Sequence, residues 1–304
     1  YGYNPFLTSW SPYHGAAYAV VEACAKAVAA GAEFGGMRFS YQEYFERMHT
    51  ARSWGKPLAA LLGALRMQVE LGLPSIGGKD SMSGTFQQIN VPPMLMAFGI
   101  TTVDARRVIS TDLKEAGHTL YLLKHTPKAN RMPDTAALRT LWNYASERIA
   151  AGRIVAGYAV GFGGVAEALA KMAFGNGIGA EVELPEEALF AYDYGSIVVE
   201  STVELDAPFA VRLGRTTADE ALTVNGERMP LDTLRPANSE RFARIYPDRG
   251  ANRGTVMEST PAPRTFVYGG EAVEHPVAYL PVFPGTNCDY DTARAFRRAG
   301  AEVE

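Results

Sequence analysis

Residues 75 to 86 read "SIGGKDSMSGTF", with three glycines, three serines, a lysine and an aspartate packed into a short polar stretch. The run before it, Lys56 to Leu71, has helical character, and the "PMLMAFGITTV" after it reads as a strand covered on at least one face. On composition the stretch is a loop. Backbone N–H groups at Gly77, Gly78 and Gly84, the hydroxyls of Ser75, Ser81 and Ser83, and the Lys79 ammonium all donate to an anion, which is the donor set a phosphate takes. Asp80 does not fit that role. A carboxylate there suits a magnesium ion, a ribose hydroxyl or Lys79 itself. A plain turn is the alternative reading of the same residues.

Working outward, a chain of 304 residues with 47% apolar and 20% charged residues buries one full core or two. A formal net charge of −4 gives no footprint for nucleic acid or for an anionic membrane. No apolar run approaches the roughly 18 residues of a membrane span, and "YGYNPFLTSW" does not read as a signal peptide, so a cytoplasmic protein is expected. Cys24 and Cys288 lie far apart without metal-ligand spacing, and Cys24 reads as a small buried hydrophobe.

Punctuation divides the chain. In the first part, residues 1–106, Ser11 caps a helix with Pro12 at its first position and Gly31 as its stop, predicting a helix over 12–30. Its alanines at 16, 19, 23, 27 and 30 make a narrow face that admits a close neighbour. With no strand before it, this helix is expected to lack something to pack on. The second part, 107–260, mixes strands ("TLYLLKHT", "RIVAGYAV", "SIVVE", "FAVRLG") with helices ("DTAALRTLWNYASERIAAG", capped by Asp134, and "GGVAEALAKMAF"). They do not alternate strictly, which predicts α+β rather than a doubly wound sheet. Between Arg241 and His275 the apolar period disappears and arginines 241, 244, 249, 253 and 264 accumulate, so a linker is expected over 261–275. Residues 276–304 read as a strand "PVAYLPVF", a loop, a helix "ARAFRRAG" and the start of a second strand: one β-α-β opening, too short for its own core.

The strings "SPYHGAAYAVVEACAKAVAAGA", "RFSYQEYF", "GGKDSMSGTF", "INVPPMLMAFGI" and "GGVAEALAKMAFGNGIGAEVEL" resemble, in order, the second synthetase half of the large, glutamine-dependent phosphoribosylformylglycinamidine synthases. "FPGTNCDYDTARAFRRAGAEVE" resembles the opening of that family's class I glutaminase domain. The resemblance implies an aminoimidazole ribonucleotide synthetase-like half of two subdomains (1–106, incomplete at its start, and 107–260) and a truncated glutaminase domain from 276. It implies a ligase of purine biosynthesis that converts formylglycinamide ribonucleotide, ATP and glutamine into the amidine, ADP, phosphate and glutamate. ATP and Mg2+ would serve the full enzyme, and the partners would be the first synthetase half and the glutaminase domain of the same polypeptide. The chain alone is expected to be inactive. Another ATP-dependent member of the superfamily, such as a thiamine monophosphate kinase, is an alternative that would not end in a glutaminase opening.

Carried over residue by residue, the resemblance assigns a substrate or nucleotide phosphate to Gly77, Gly78, Lys79, Asp80, Ser81 and Ser83, and a magnesium ion to Glu22. The asparagine expected one turn after Glu22 is Lys26, and the family's "SDGG" segment reads "AVGFGG" here, with Ala159 and Gly161 at the aspartate and serine positions. A degenerate, purely structural half is therefore the second reading. Cys288 lies in a first strand-to-helix segment, unlike a glutaminase nucleophile. His14 is assigned a capping or packing role, and Glu186 and Glu187 the first turn of a helix.

Overall fold

Asn4 starts the fold: its side-chain oxygen accepts from the N–H groups of Phe6 and Leu7, opening helix α1 (Pro5–Trp10). Ser11 closes α1 and caps α2 (Pro12–Ala29), accepting from the His14 N–H, with Pro12 at the first position as the sequence predicts. Helix α2 is buried on nearly every side, through Ala16, Ala17, Ala19, Val20, Val21, Ala23, Cys24, Ala25 and Val28. The structure, a computed structural model, describes residues 1–247, 269–271 and 273–304. They belong to two units, Tyr1–Asp248 and Arg249–Glu304.

In the first unit, strand β1 (Arg38–Tyr44) lies between β2 (Ser75–Lys79), parallel to it, and β5 (Met94–Ile100), antiparallel. The helix α3 (Ala51–Leu71) joins β1 to β2, and a small hairpin of β3 (Thr85–Phe86) and β4 (Ile89–Asn90) follows β2. Gly2 bridges Ala97 on the far side of β5. Helix α2 packs on β5 and α3, so the expectation that it lacks a support is corrected. Helix α3 starts at Ala51, earlier than the sequence suggests. Thr50 and Ser53 close a reciprocal capping box, and Pro57 sits inside the helix rather than at its start.

The second sheet contains β6 (Thr119–Leu123), β7 (Ile154–Ala159), β8 (Gly179–Val182), β9 (Ile197–Ser201), β10 (Ala210–Thr217), β11 (Ala221–Val224) and β12 (Glu227–Pro230). Their order is β12-β11-β8-β10-β6-β9-β7, with only β8 and β11 parallel. Its helices are α4 (Thr135–Ala150), α5 (Gly164–Phe174), the single turn α6 (Glu186–Leu189) and α7 (Leu231–Ser239). Tyr121, Leu123, Ile197 and Val199 join the core shared with α2 and α4, while Leu120, Leu122 and Val198 join the core under α5. Burial on both faces explains why these strands read as unbroken apolar runs.

Two buried polar groups hold this layer. Glu200 is fully buried; its carboxylate accepts from the Lys114 and Glu115 N–H groups at 2.8 and 3.2 Å and pairs with His118 Nδ1 at 2.6 Å. His125 sits between Tyr194 O, 2.9 Å from Nδ1, and the Asp134 N–H, which donates to Nε2 at 3.1 Å. That pairing needs the neutral ring with its proton on Nδ1, because an imidazolium would set N–H against N–H.

The second unit has β13 (Val277–Ala278) parallel to β14 (Glu302–Val303), and α8 (Asp289–Arg298). The longer strand expected over "PVAYLPVF" shrinks to two residues, since the flanking apolar side chains Tyr279, Val282 and Phe283 are exposed. The expected linker, 261–275, falls largely outside the described residues, as do Arg249, Arg253 and Arg264.

Burial pushes the His125 pKa below its ordinary value of 6.5, against the pull of Tyr194 O, Asp134 and Asp193. The unfolded chain therefore takes up a proton near pH 6.5 that the folded ring refuses. Stability is complete above that pH and should fall on acidification by at most about 1.4 kcal/mol per pH unit. Urea unfolding at pH 7.5 and 5.5 checks this, and His125→Gln should remove that part of the dependence.

Candidate functional site

The "SIGGKDSMSGTF" stretch is not a loop over its first half. Ser75 to Lys79 forms β2, an exposed edge strand, with Ser40, Tyr41 and Gln42 of β1 beside Gly77, Gly78 and Lys79. The ladder continues past β2: the Ser81 N–H donates to Glu43 O at 3.1 Å, and the Phe45 N–H donates to Ser81 O at 2.9 Å. Extended backbone alternates its side chains, so the predicted site residues divide between two faces. Gly77, Lys79, Ser81 and Ser83 share one, where the Ser81 and Ser83 hydroxyls lie 2.9 Å apart. Gly78 and Asp80 lie on the other.

The glycines differ in what they do. A Cβ on Gly78 would stand 2.6 Å from Tyr41 O, so this glycine is required by the approach of β2 to β1. A Cβ on Gly84 would stand 2.3 Å from Val91 Cγ2. Nothing lies within 4 Å of a Cβ on Gly77. Gly78 and Gly84 are thus glycines on packing grounds, and the Gly84 N–H donates to Phe45 O at 2.9 Å. Lys79 is exposed and makes no ion pair among the described residues.

Glu43, two residues before Phe45 on β1, was not singled out by the sequence. It is 4% exposed, among Phe39, Tyr41 and Phe45 on the core-facing side of the strand, and its Oε1 has no hydrogen-bond partner. Burial first, then the charge of Asp80, pushes its pKa up to about 7. The alternation in "RFSYQEYF" was the signal, because it sets a carboxylate in line with three aromatic core residues.

Glu22 is 6% exposed and already neutralised. Its Oε2 accepts from the Tyr3 N–H at 2.9 Å, and its Oε1 pairs with Lys26 Nζ at 2.8 Å. Lys26 also donates to Tyr1 O at 3.0 Å and lies 4.7 Å from the centroid of the Tyr1 ring. The "AVGFGG" segment does come to this place, with the Gly161 Cβ position 3.6 Å from Glu22 Oε1. Glu167, in the first turn of α5, folds back to accept from the Gly163 N–H at 2.9 Å and pairs with Lys171 at 2.5 Å. Burial alone would raise the Glu167 pKa, but Lys171 and the Gly163 N–H outweigh it and hold the carboxylate below its ordinary range. Internal ammonium and carboxylate groups thus fill the place, and a Mg2+ ion at Glu22 does not fit them. Among the described residues no group of three or more His, Cys, Asp or Glu side chains is placed to hold a metal ion.

The other expectations fall out simply. His14 caps, with Nδ1 2.9 Å from Ser11 Oγ and Nε2 3.2 Å from Asn130 O. Glu186 and Glu187 form the first turn of α6, Cys24 is buried and Cys288 exposed.

Residues 109–243 match the family described as AIR synthase related protein, C-terminal domain. The chain is 26% identical over 257 residues to a phosphoribosylformylglycinamidine synthase subunit PurL of Picrophilus torridus, covering 75% of this chain and 34% of the relative. It is 29% identical over 201 residues to the same subunit of a Nocardioides species, covering 56% and 26%. The chain thus spans about a third of the length of the curated relatives it matches, or less. Among solved structures, T. maritima PurL complexed with ATP superposes with a TM-score of 0.62 at 15% identity, over 75% of this chain and 42% of that one. The same protein complexed with FGAR gives 0.62 at 15%, over 77% and 44%. Thiamine monophosphate kinase of Aquifex aeolicus gives 0.50 at 15%, over 74% and 83%. These likenesses bear out the resemblance to the synthetase half of a phosphoribosylformylglycinamidine synthase, and the mixed α+β, AIR synthase-like fold.

Two predictions follow the geometry of the edge. Gly78→Ala should cost about 1–3 kcal/mol in urea unfolding, because main chain must move, while Gly77→Ala should stay within about 0.5 kcal/mol. For Glu43 the folded pKa is raised, so above pH 4.5 the unfolded chain releases the proton first and the group costs stability, fully so above pH 7. Glu43→Gln should stabilise the protein by about 1–3 kcal/mol at pH 8 and hardly at all at pH 4.5. Equal midpoints at pH 8 would mean that Glu43 ionises freely in the fold.

Proposed function

We propose that this chain is part of a phosphoribosylformylglycinamidine synthase, an ATP-dependent ligase of purine biosynthesis with glutamine as amido donor. In the reaction we assign to the full protein, ATP phosphorylates the formamide oxygen of formylglycinamide ribonucleotide and ammonia displaces the phosphate. Residues 1–106 and 107–260 are then the two subdomains of one half, 261–275 a linker, and 276–304 the start of the glutaminase domain. The site of action we assign is the cytoplasm; among the described residues no helix is long and apolar enough to cross a membrane.

Within this half we place a substrate or nucleotide phosphate on the open face of the β2 edge. The carrying observation is that Gly77, Lys79, Ser81 and Ser83 share one exposed face, with Lys79 unpaired and nothing above Gly77. An exposed ammonium and hydroxyls on one face suit phosphoryl chemistry, which depends mainly on positioning and charge neutralisation. Asp80 stands on the opposite face and takes no part in this contact. The uncovered stripe Trp54, Leu58, Leu61, Leu62, Leu65 and Val69 of α3 supports the view that further protein, such as the first synthetase half, packs against this one.

A second reading has its own observation. Lys26 on Glu22 and Lys171 on Glu167 keep both carboxylates paired within the chain, which favours a structural half that leaves turnover to its partner. Calorimetric titration with ADP, ATP and the ribonucleotide, with and without Mg2+, separates the two. On the phosphate reading Lys79→Ala weakens binding by about 1–3 kcal/mol; unchanged dissociation constants for every phosphate ligand leave the structural reading. Neither reading gives the chain alone amidine-forming or glutaminase activity.

A further inference from the structure

We propose that Glu43 and Asp80 form a divalent-cation site for Mg2+ or Mn2+ on the helix-facing side of the β2 edge, opposite the face that carries Lys79, Ser81 and Ser83. The hydrogen bonds from Ser81 N to Glu43 O and from Phe45 N to Ser81 O extend the parallel ladder and set Asp80 directly beside Glu43. Directly paired residues point to the same face, on strands roughly 5 Å apart. Two like charges so placed repel unless something positive lies between them.

No side chain supplies that charge. Among the described residues, neither the Glu43 nor the Asp80 carboxylate makes an ion pair or accepts a hydrogen bond; the Gln42 side chain donates to the Glu43 backbone oxygen instead. Glu22 and Glu200 are the other buried glutamates, and both are fully engaged. Among the described buried glutamates, Glu43 is the one with an unpartnered oxygen; Asp193 Oδ2, also without a hydrogen bond, lies 3.8 Å from Lys124 Nζ. An independent orphan stands on the same face two residues earlier: the Tyr41 hydroxyl, in a side chain 9% exposed, also has no partner. A buried, unsatisfied carboxylate beside a second carboxylate describes a place that is complete only with a further group.

The donors select the ion. Glu43 and Asp80 offer carboxylate oxygens, the hard donors that suit Mg2+ and Mn2+ rather than zinc. Mg2+ and Mn2+ are held by one or two carboxylates and complete their shell with water. This site does not rest on the phosphate reading of the opposite face, since none of its donors is shared with it.

The test titrates the 304-residue chain with MnCl2 alone at pH 8, without phosphate or nucleotide, following free Mn2+ by electron paramagnetic resonance. One bound ion is expected, with affinity reduced at least tenfold in Asp80→Asn and in Glu43→Gln. Asp80 is exposed, so its variant reports binding even if the Glu43 variant alters folding. Absence of a bound ion, or binding unchanged in Asp80→Asn, overturns the proposal. Inorganic phosphate titrated into the same samples is read separately: Mn2+ bound without phosphate binding supports the cation site and counts only against the phosphate face.

Discussion

The close packing of α2 is the constraint on which the first unit depends. One helix faces β5 and α3 on one side and β7 and α4 on the other, and it does so because small residues line it. A Cβ on Gly63 of α3 would meet Tyr13 O at 2.0 Å, and one on Gly2 would meet Ala19 O at 2.1 Å. Contacts of backbone on backbone at this range leave no room for a larger side chain on either partner, and interiors packed to this density yield little. The helix is therefore both the shared core of the two sheets and the reason they hold a fixed relation within the unit.

A helix buried so thoroughly cannot carry a bare charge, which is what makes Glu22 informative. Burying an unpaired carboxylate costs several kcal/mol, and the chain meets that cost with Lys26 one turn on and the Tyr3 N–H. Glu200 is met differently, by two backbone N–H groups and a histidine. Each arrangement partners both carboxylate oxygens within the chain. Glu43 belongs to the same class by burial and differs in having no such partner. The contrast is one of chemistry rather than position: three carboxylates in similar surroundings, two satisfied within the chain and one not.

Much of this was legible in the sequence where local signals carry physical meaning. Ser11-Pro12 and Gly31 bounded α2, Asp134 capped α4 by accepting from Ala136 and Ala137 N–H, and unbroken apolar runs marked the strands buried on both faces. The α+β character followed from their order. What failed was non-local. Glycine and serine disfavour strands on their own, so β2 reads as a loop until β1 is placed beside it. Pro57 reads as a helix start because the Thr50–Ser53 capping box ahead of it lacks the usual acidic partner. "PVAYLPVF" has the pattern of a buried strand but no layer over its flanking residues. Lys26 was visible as a departure from the family pattern; that its ammonium pairs with Glu22 needed the 2.8 Å contact.

The same non-local logic separates the candidate residues at the edge. Composition gathers Gly77, Gly78, Lys79, Asp80, Ser81 and Ser83 into one cluster, because sequence adjacency carries no direction. Once β2 is an extended strand, alternation divides them, and a group on one face cannot share a ligand's contact with a group on the other without the ligand passing round the edge. The Ser81 and Ser83 hydroxyls bond one another on the face that carries Lys79, and among the described residues the Glu43 and Asp80 carboxylates meet no donor. Each face lacks what the other offers, and the pleat keeps them from satisfying one another.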